Sequence, residues 1–86
     1  MFKIVVIDDE PLILRSIKKS IEDAHTGFKI VGEAINGKFA LDVIEKTLPD
    51  IVFTDIRMPV MDGLALIEEL IGRGIKSRFV ILSGYQ

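Results

Sequence analysis

The 86-residue sequence predicts one α/β domain, a parallel sheet with helices on both faces. Two observations predict it. Short β-branched runs alternate with longer segments of helical spacing, and the short runs are apolar nearly throughout instead of alternating apolar with polar. Continuous apolar strands suit a sheet covered on both sides, which is the situation of parallel strands.

The elements follow in order. A first strand is expected over residues 3–8, closed by the acids Asp8 and Asp9. Pro11 then fits the first turn of a helix, where a missing N–H costs nothing. Behind it Leu14, Ile17, Ile21 and Ala24 step by three or four residues and make one apolar stripe. A second strand is expected over 28–33, and Asn36-Gly37 marks a turn. Ala40, Ile44 and Leu48 form the stripe of a second helix, followed by a third strand over 50–55. Asp62-Gly63 reads as a turn and the start of a third helix, with Leu64, Ile67 and Ile71 as its stripe. Gly72 and Gly74 end that helix, and a fourth strand covers 78–83.

The pattern is β-α-β-α-β-α-β, without internal repeat or low-complexity stretch. Right-handed crossovers constrain its topology. In the flavodoxin-like, doubly wound order 2-1-3-4, strands one and three flank the point where ligands of open α/β sheets bind. The first helix covers one face, and the second and third cover the other.

Composition removes several classes. With no cysteine there is neither a disulfide framework nor a thiolate metal site, which fits a reducing, cytoplasmic setting. The apolar run at residues 4–7 is too short for a signal peptide or a membrane span. The formal net charge is −2, with acids and bases interleaved, so no basic stripe for nucleic acid exists and no contact with it is expected.

Chemistry concentrates in the acids. Asp8 and Asp9 end the first strand and Asp55 ends the third, and the predicted order makes those ends neighbours. Carboxylates that close oppose one another's ionisation unless a cation joins them. Oxygen ligands, few in number and leaving room for water and a phosphoryl oxygen, suit Mg2+. Asp55 is then placed to act as a carboxylate nucleophile on a phosphoryl donor. Each residue also has a plainer reading. The acid pair before Pro11 could cap a helix, Asp55 could be a loop residue, and Ser83 could be a hydrogen-bonded strand end. His25 reads as a surface cap near a helix end. Leu12 and Ile13, in the first helical turn, fit burial or an exposed contact equally.

Three motifs carry a resemblance: Val6-Ile7-Asp8-Asp9-Glu10-Pro11, the run Asp55-Ile56-Arg57-Met58-Pro59-Val60-Met61-Asp62-Gly63, and Ile81-Leu82-Ser83-Gly84. In order and spacing they resemble the receiver domain of response regulators, over the whole chain, and most of all receivers joined to AraC-type DNA-binding domains. The resemblance implies that Asp55 is the phosphoacceptor. It makes Asp9 a direct Mg2+ ligand, Asp8 an acid holding the metal largely through water, and the backbone carbonyl of Arg57 a further contact. Ser83 becomes the switch hydroxyl, with Gly84 the small neighbour that leaves space. The implied partners are a sensor histidine kinase and, in the parent protein, a C-terminal DNA-binding output domain.

Receivers of this kind continue through a helix, a fifth strand carrying a lysine, and a final helix, and these motifs are not among the 86 residues. Residues 1–86 are therefore expected to be the N-terminal portion of a receiver. Its fourth strand is expected to present an apolar edge, and the sheet a bare apolar face beside the first helix, and copies are expected to self-associate through one or the other. Two other readings compete: a non-catalytic interaction fragment of the same fold, and a haloacid-dehalogenase-type phosphatase with Asp8 as nucleophile. The second leaves the Asp55 motif unexplained and has Glu10 where that family places an aspartate.

Overall fold

A computed structural model describes residues 1–24, 27–58 and 60–82 of the chain. Ser83, Gly84, His25 and Pro59 lie outside the described residues, so the readings attached to them remain expectations. The elements run β1 (Phe2–Ile7), α1 (Pro11–Ala24), β2 (Phe28–Ala34), α2 (Gly37–Thr47), β3 (Ile51–Asp55), α3 (Gly63–Gly72) and β4 (Arg78–Leu82). The strands form one parallel sheet in the order β2-β1-β3-β4, the expected flavodoxin-like arrangement. Strand bounds differ from those expected by a residue at most, as β1 begins at Phe2 and ends before Asp8.

Burial explains why β1 is the centre. Ile4, Val5, Val6 and Ile7 have no exposed surface, because successive side chains enter opposite layers. Val5 and Ile7 pack with Ile44, Val52, Leu66 and Leu70 under α2 and α3. Ile4 and Val6 pack with Leu14 under α1. Each such side chain contributes roughly 1.5–3 kcal/mol relative to an exposed one.

Helix ends are set by local hydrogen bonds. Asn36 Oδ1 accepts from the Phe39 N–H at 2.9 Å and starts α2. Asp62 Oδ1 accepts from the Ala65 N–H at 2.8 Å and starts α3, as the turn reading of Asp62-Gly63 anticipates. Leu48 closes α2 in the left-handed region, at φ 47°, with its N–H on the Ile44 carbonyl at 2.8 Å.

Three expectations about stripes are corrected. In α3 the buried side chains are Leu66 and Leu70, with Gly63, while Leu64 and Ile71 are exposed. The helix is apolar around most of its surface, so two interleaved stripes of equal spacing exist. Contacts of Gly63 with the end of β3 and of Leu66 and Leu70 with the core select between them. Leu48 lies beyond α2 and is largely exposed, and Ala24 is exposed at the end of α1. Leu12 and Ile13 also face solvent.

On the α1 side the sheet is unevenly covered. Ile51 and Phe53 of β3 are half-buried there, and Val80, paired with Phe53 in register, is exposed. β4 is an edge strand of the sheet.

Candidate functional site

Parallel strands carry their carboxyl ends to one edge of the sheet. Ile7 of β1 pairs with Thr54 of β3, so the residues that follow, Asp8 and Asp55, emerge side by side. Asp8 leaves the sheet with its N–H still bonded to the Ala34 carbonyl of β2 at 3.1 Å. Asp8, Asp9 and Asp55 each bring a carboxylate oxygen within 4.8 Å of the other two. The structure thus assembles the three acids singled out in the sequence.

Their surroundings differ. Asp8 is 3% exposed, and its Oδ1 accepts the Glu10 N–H at 2.9 Å. That bond spans two residues and turns the chain toward α1; it ends one residue short of Pro11, so it is a turn and not the helix cap of the plainer reading. Burial pushes the Asp8 carboxyl above the ordinary carboxylate value. The Glu10 N–H works in the opposite direction, and the negative Asp55, Asp9 and Glu10 add to the upward push. Asp9 is half-buried and lines a shallow cleft of about 390 Å³ with Ile56, Arg57, Met58 and Asp62.

Asp55 holds the feature that bears on a metal. Its Oδ1 is enclosed and has no hydrogen-bond partner among the described residues. An enclosed carboxylate oxygen without a donor is costly, and a cation among three carboxylates removes that cost. The donor set is all oxygen, as hard divalent cations require. The residues therefore fit Mg2+.

The loop beyond Asp55 is held from α3. The Gly63 N–H donates to the Ile56 carbonyl at 2.8 Å, and a Cβ on Gly63 would stand only 2.2 Å from the Asp55 carbonyl oxygen. Only glycine permits that approach. Sequence reasoning saw the turn here but not the clamp. It also passed over Thr54, a fully buried hydroxyl that donates to the Asp55 carbonyl at 3.0 Å. The available signal was a polar residue inside an apolar strand, next to the acid. A larger cleft, of about 700 Å³, opens at the opposite ends of the strands between Phe2, Phe28, Leu48 and Ile75, away from the acids.

Comparison with known proteins agrees with this geometry. Residues 4–86 match the family described as the response regulator receiver domain. The transcriptional regulatory protein YesN of Bacillus subtilis is 40% identical over 85 residues, covering 99% of this chain and 23% of that protein. A protein-glutamate methylesterase/protein-glutamine glutaminase of Treponema denticola is 40% identical over 81 residues, covering 94% of this chain and 22% of that protein. This chain therefore spans about a fifth of the length of these relatives. Among solved structures, the signal receiver domain of the putative response regulator NarL from Mycobacterium tuberculosis superposes with a TM-score of 0.91 at 30% identity. That match covers 99% of this chain and 68% of the other. Relatives with such unlike names share this one part, and on that match the chain belongs to the response-regulator receiver family.

Proposed function

We propose that this chain is the phosphoacceptor of a two-component system, taking a phosphoryl group from a sensor histidine kinase onto Asp55 with Mg2+ in the acid site. The observation that carries the reading is the convergence of Asp8, Asp9 and Asp55, with the Oδ1 of Asp55 enclosed and without a partner among the described residues. Asp8, Asp9, Asp55 and the backbone carbonyl of Arg57 would hold the metal, which supplies charge neutralisation beside the transferring group. A carboxylate oxygen of Asp55 attacks phosphorus. The P–N bond of the donor phosphohistidine breaks, its electron pair returns to the imidazole, and Asp55 carries an acyl phosphate. Asp8 stays a ligand and not a nucleophile, because it is buried and one oxygen is engaged by Glu10. With family membership established, the haloacid-dehalogenase reading has no remaining support.

Ser83 is the hydroxyl that follows the phosphoryl group in this reading. The chain itself turns over no substrate and acts in the cytoplasm. No helix among the described residues is long and apolar enough to cross a membrane. In this reading its parent carries a C-terminal DNA-binding output domain, and the similar YesN is by name a transcriptional regulatory protein. The AraC-type assignment rests on the motifs alone, and one similar solved regulator, from Aurantimonas, is of the LuxR family. The exposed β4 edge, with Val80 and Ile81, favours self-association of this chain, to be read by light scattering across a concentration series. A monodisperse monomer at high concentration excludes it.

The test of phosphorylation is intact mass after incubation with acetyl phosphate, with and without Mg2+, beside Asp55→Asn. One added phosphoryl group is expected in the parent with metal and in neither control. A folded parent that gains nothing would leave the second reading, a docking module without phosphoryl chemistry.

A further inference from the structure

The enclosed oxygen of Asp55 receives no hydrogen bond among the described residues, so the position of the carboxylate depends on the backbone that carries it. That backbone is held at one atom, the Asp55 carbonyl oxygen, from two sides. Gly63 lies against it so closely that no side chain fits between. Thr54, with no exposed surface, reaches it from within the sheet and donates its Oγ1–H at 3.0 Å. A valine would fill the same space in the apolar layer formed by Val52, Leu66 and Leu70. The hydroxyl is what packing alone does not explain, because burying one demands a partner. Its partner is the carbonyl of the residue proposed to react.

We propose that Thr54 is a positioning residue: its hydroxyl tethers the peptide joining Asp55 to Ile56 and so sets the Asp55 carboxylate and the Arg57 carbonyl for the metal. The proposal rests on the phosphoacceptor reading for its consequence, but the tether itself does not. Paired substitutions separate tether from packing. Thr54→Val keeps the shape and removes the hydroxyl; Thr54→Ser keeps the hydroxyl and removes the methyl. Thr54→Ala serves if the valine variant does not fold, since Ser and Ala differ only in the hydroxyl.

Two quantities are read on the full chain. Amide exchange of Gly63, whose N–H bonds the Ile56 carbonyl, reports the clamp without metal, and exchange in β1 reports global opening. Calorimetric titration with Mg2+ reports the site. Removing the hydroxyl is expected to weaken Mg2+ binding about 2- to 10-fold, the range one neutral hydrogen bond allows. It is also expected to speed Gly63 exchange by more than β1 exchange. Serine is expected to retain the parent's values for both. Valine with parental Gly63 exchange overturns the tether, and serine as impaired as valine reduces Thr54 to packing. If the parent binds no Mg2+, the phosphoacceptor reading fails, and Gly63 exchange alone still decides whether the tether exists.

Discussion

Gly63→Ala tests the link between fold and site most directly. The added Cβ would meet the Asp55 carbonyl oxygen at 2.2 Å, the Asp55 carbonyl carbon at 3.1 Å and the Ile56 Cα at 3.2 Å. All three are backbone atoms, so no rotamer change relieves the clash. Ordinary contact begins at 3.4 Å, so the start of α3 and the end of β3 must separate by about 1 Å. Overpacking costs about 1–3 kcal/mol, and a clash with backbone belongs to the upper part of that range, about 2–3 kcal/mol. Alanine's better helix propensity returns at most about 1 kcal/mol. A net loss of roughly 1–2 kcal/mol lowers the melting temperature of a domain this size by about 4–16 °C. Because the shift falls on the residue proposed to react, phosphorylation by acetyl phosphate should slow by up to about 100-fold, the loss a misplacement near 1 Å can cause. Gly72→Ala is the control within the same helix. Nothing lies within 4 Å of its added Cβ, so propensity alone acts and stability should rise by up to about 1 kcal/mol. Thermal and urea unfolding of both variants measure the difference. A Gly63→Ala chain as stable as its parent would refute the close approach and the clamp built on it.

Two further outcomes are expected. In chelator, the Asp8 carboxyl is held above its unfolded value by burial and the neighbouring acids, so its contribution to stability is full below about pH 4 and is lost as pH rises through the raised folded value. Asp8→Asn keeps the acceptor for Glu10 and removes the charge; it should be more stable than the parent near neutral pH, with the gap closing on acidification and with less added stability from Mg2+, all read by urea midpoints. Leu48→Gly releases a side chain from φ 47° at a largely exposed position, and should stabilise by about 0.5–1 kcal/mol at unchanged denaturant slope.

The element order was legible because strands covered on both faces and helices covered on one write different apolar periods, as residues 4–7 and the Ala40–Ile44 spacing do. The candidate acids were legible because once β1 and β3 are neighbours their ends must meet. Several assignments were beyond a local pattern. Leu64-Ile67-Ile71 and Gly63-Leu66-Leu70 have the same helical spacing, and contacts with other elements, of Gly63 with the Asp55 carbonyl and of Leu66 and Leu70 with the core, turn the second inward. Ala24 and Leu48 continue their stripes on paper but are exposed in the structure. The enclosure of one Asp55 oxygen, the rise of the Asp8 carboxyl and the tether from Thr54 depend on atoms distant in sequence or on the way the chain turns at the sheet end. Periodicity along one segment determines which elements form and roughly where they stop. Contacts between segments decide which face turns inward and how an acid is held, because close packing is a property of pairs of surfaces and not of either alone.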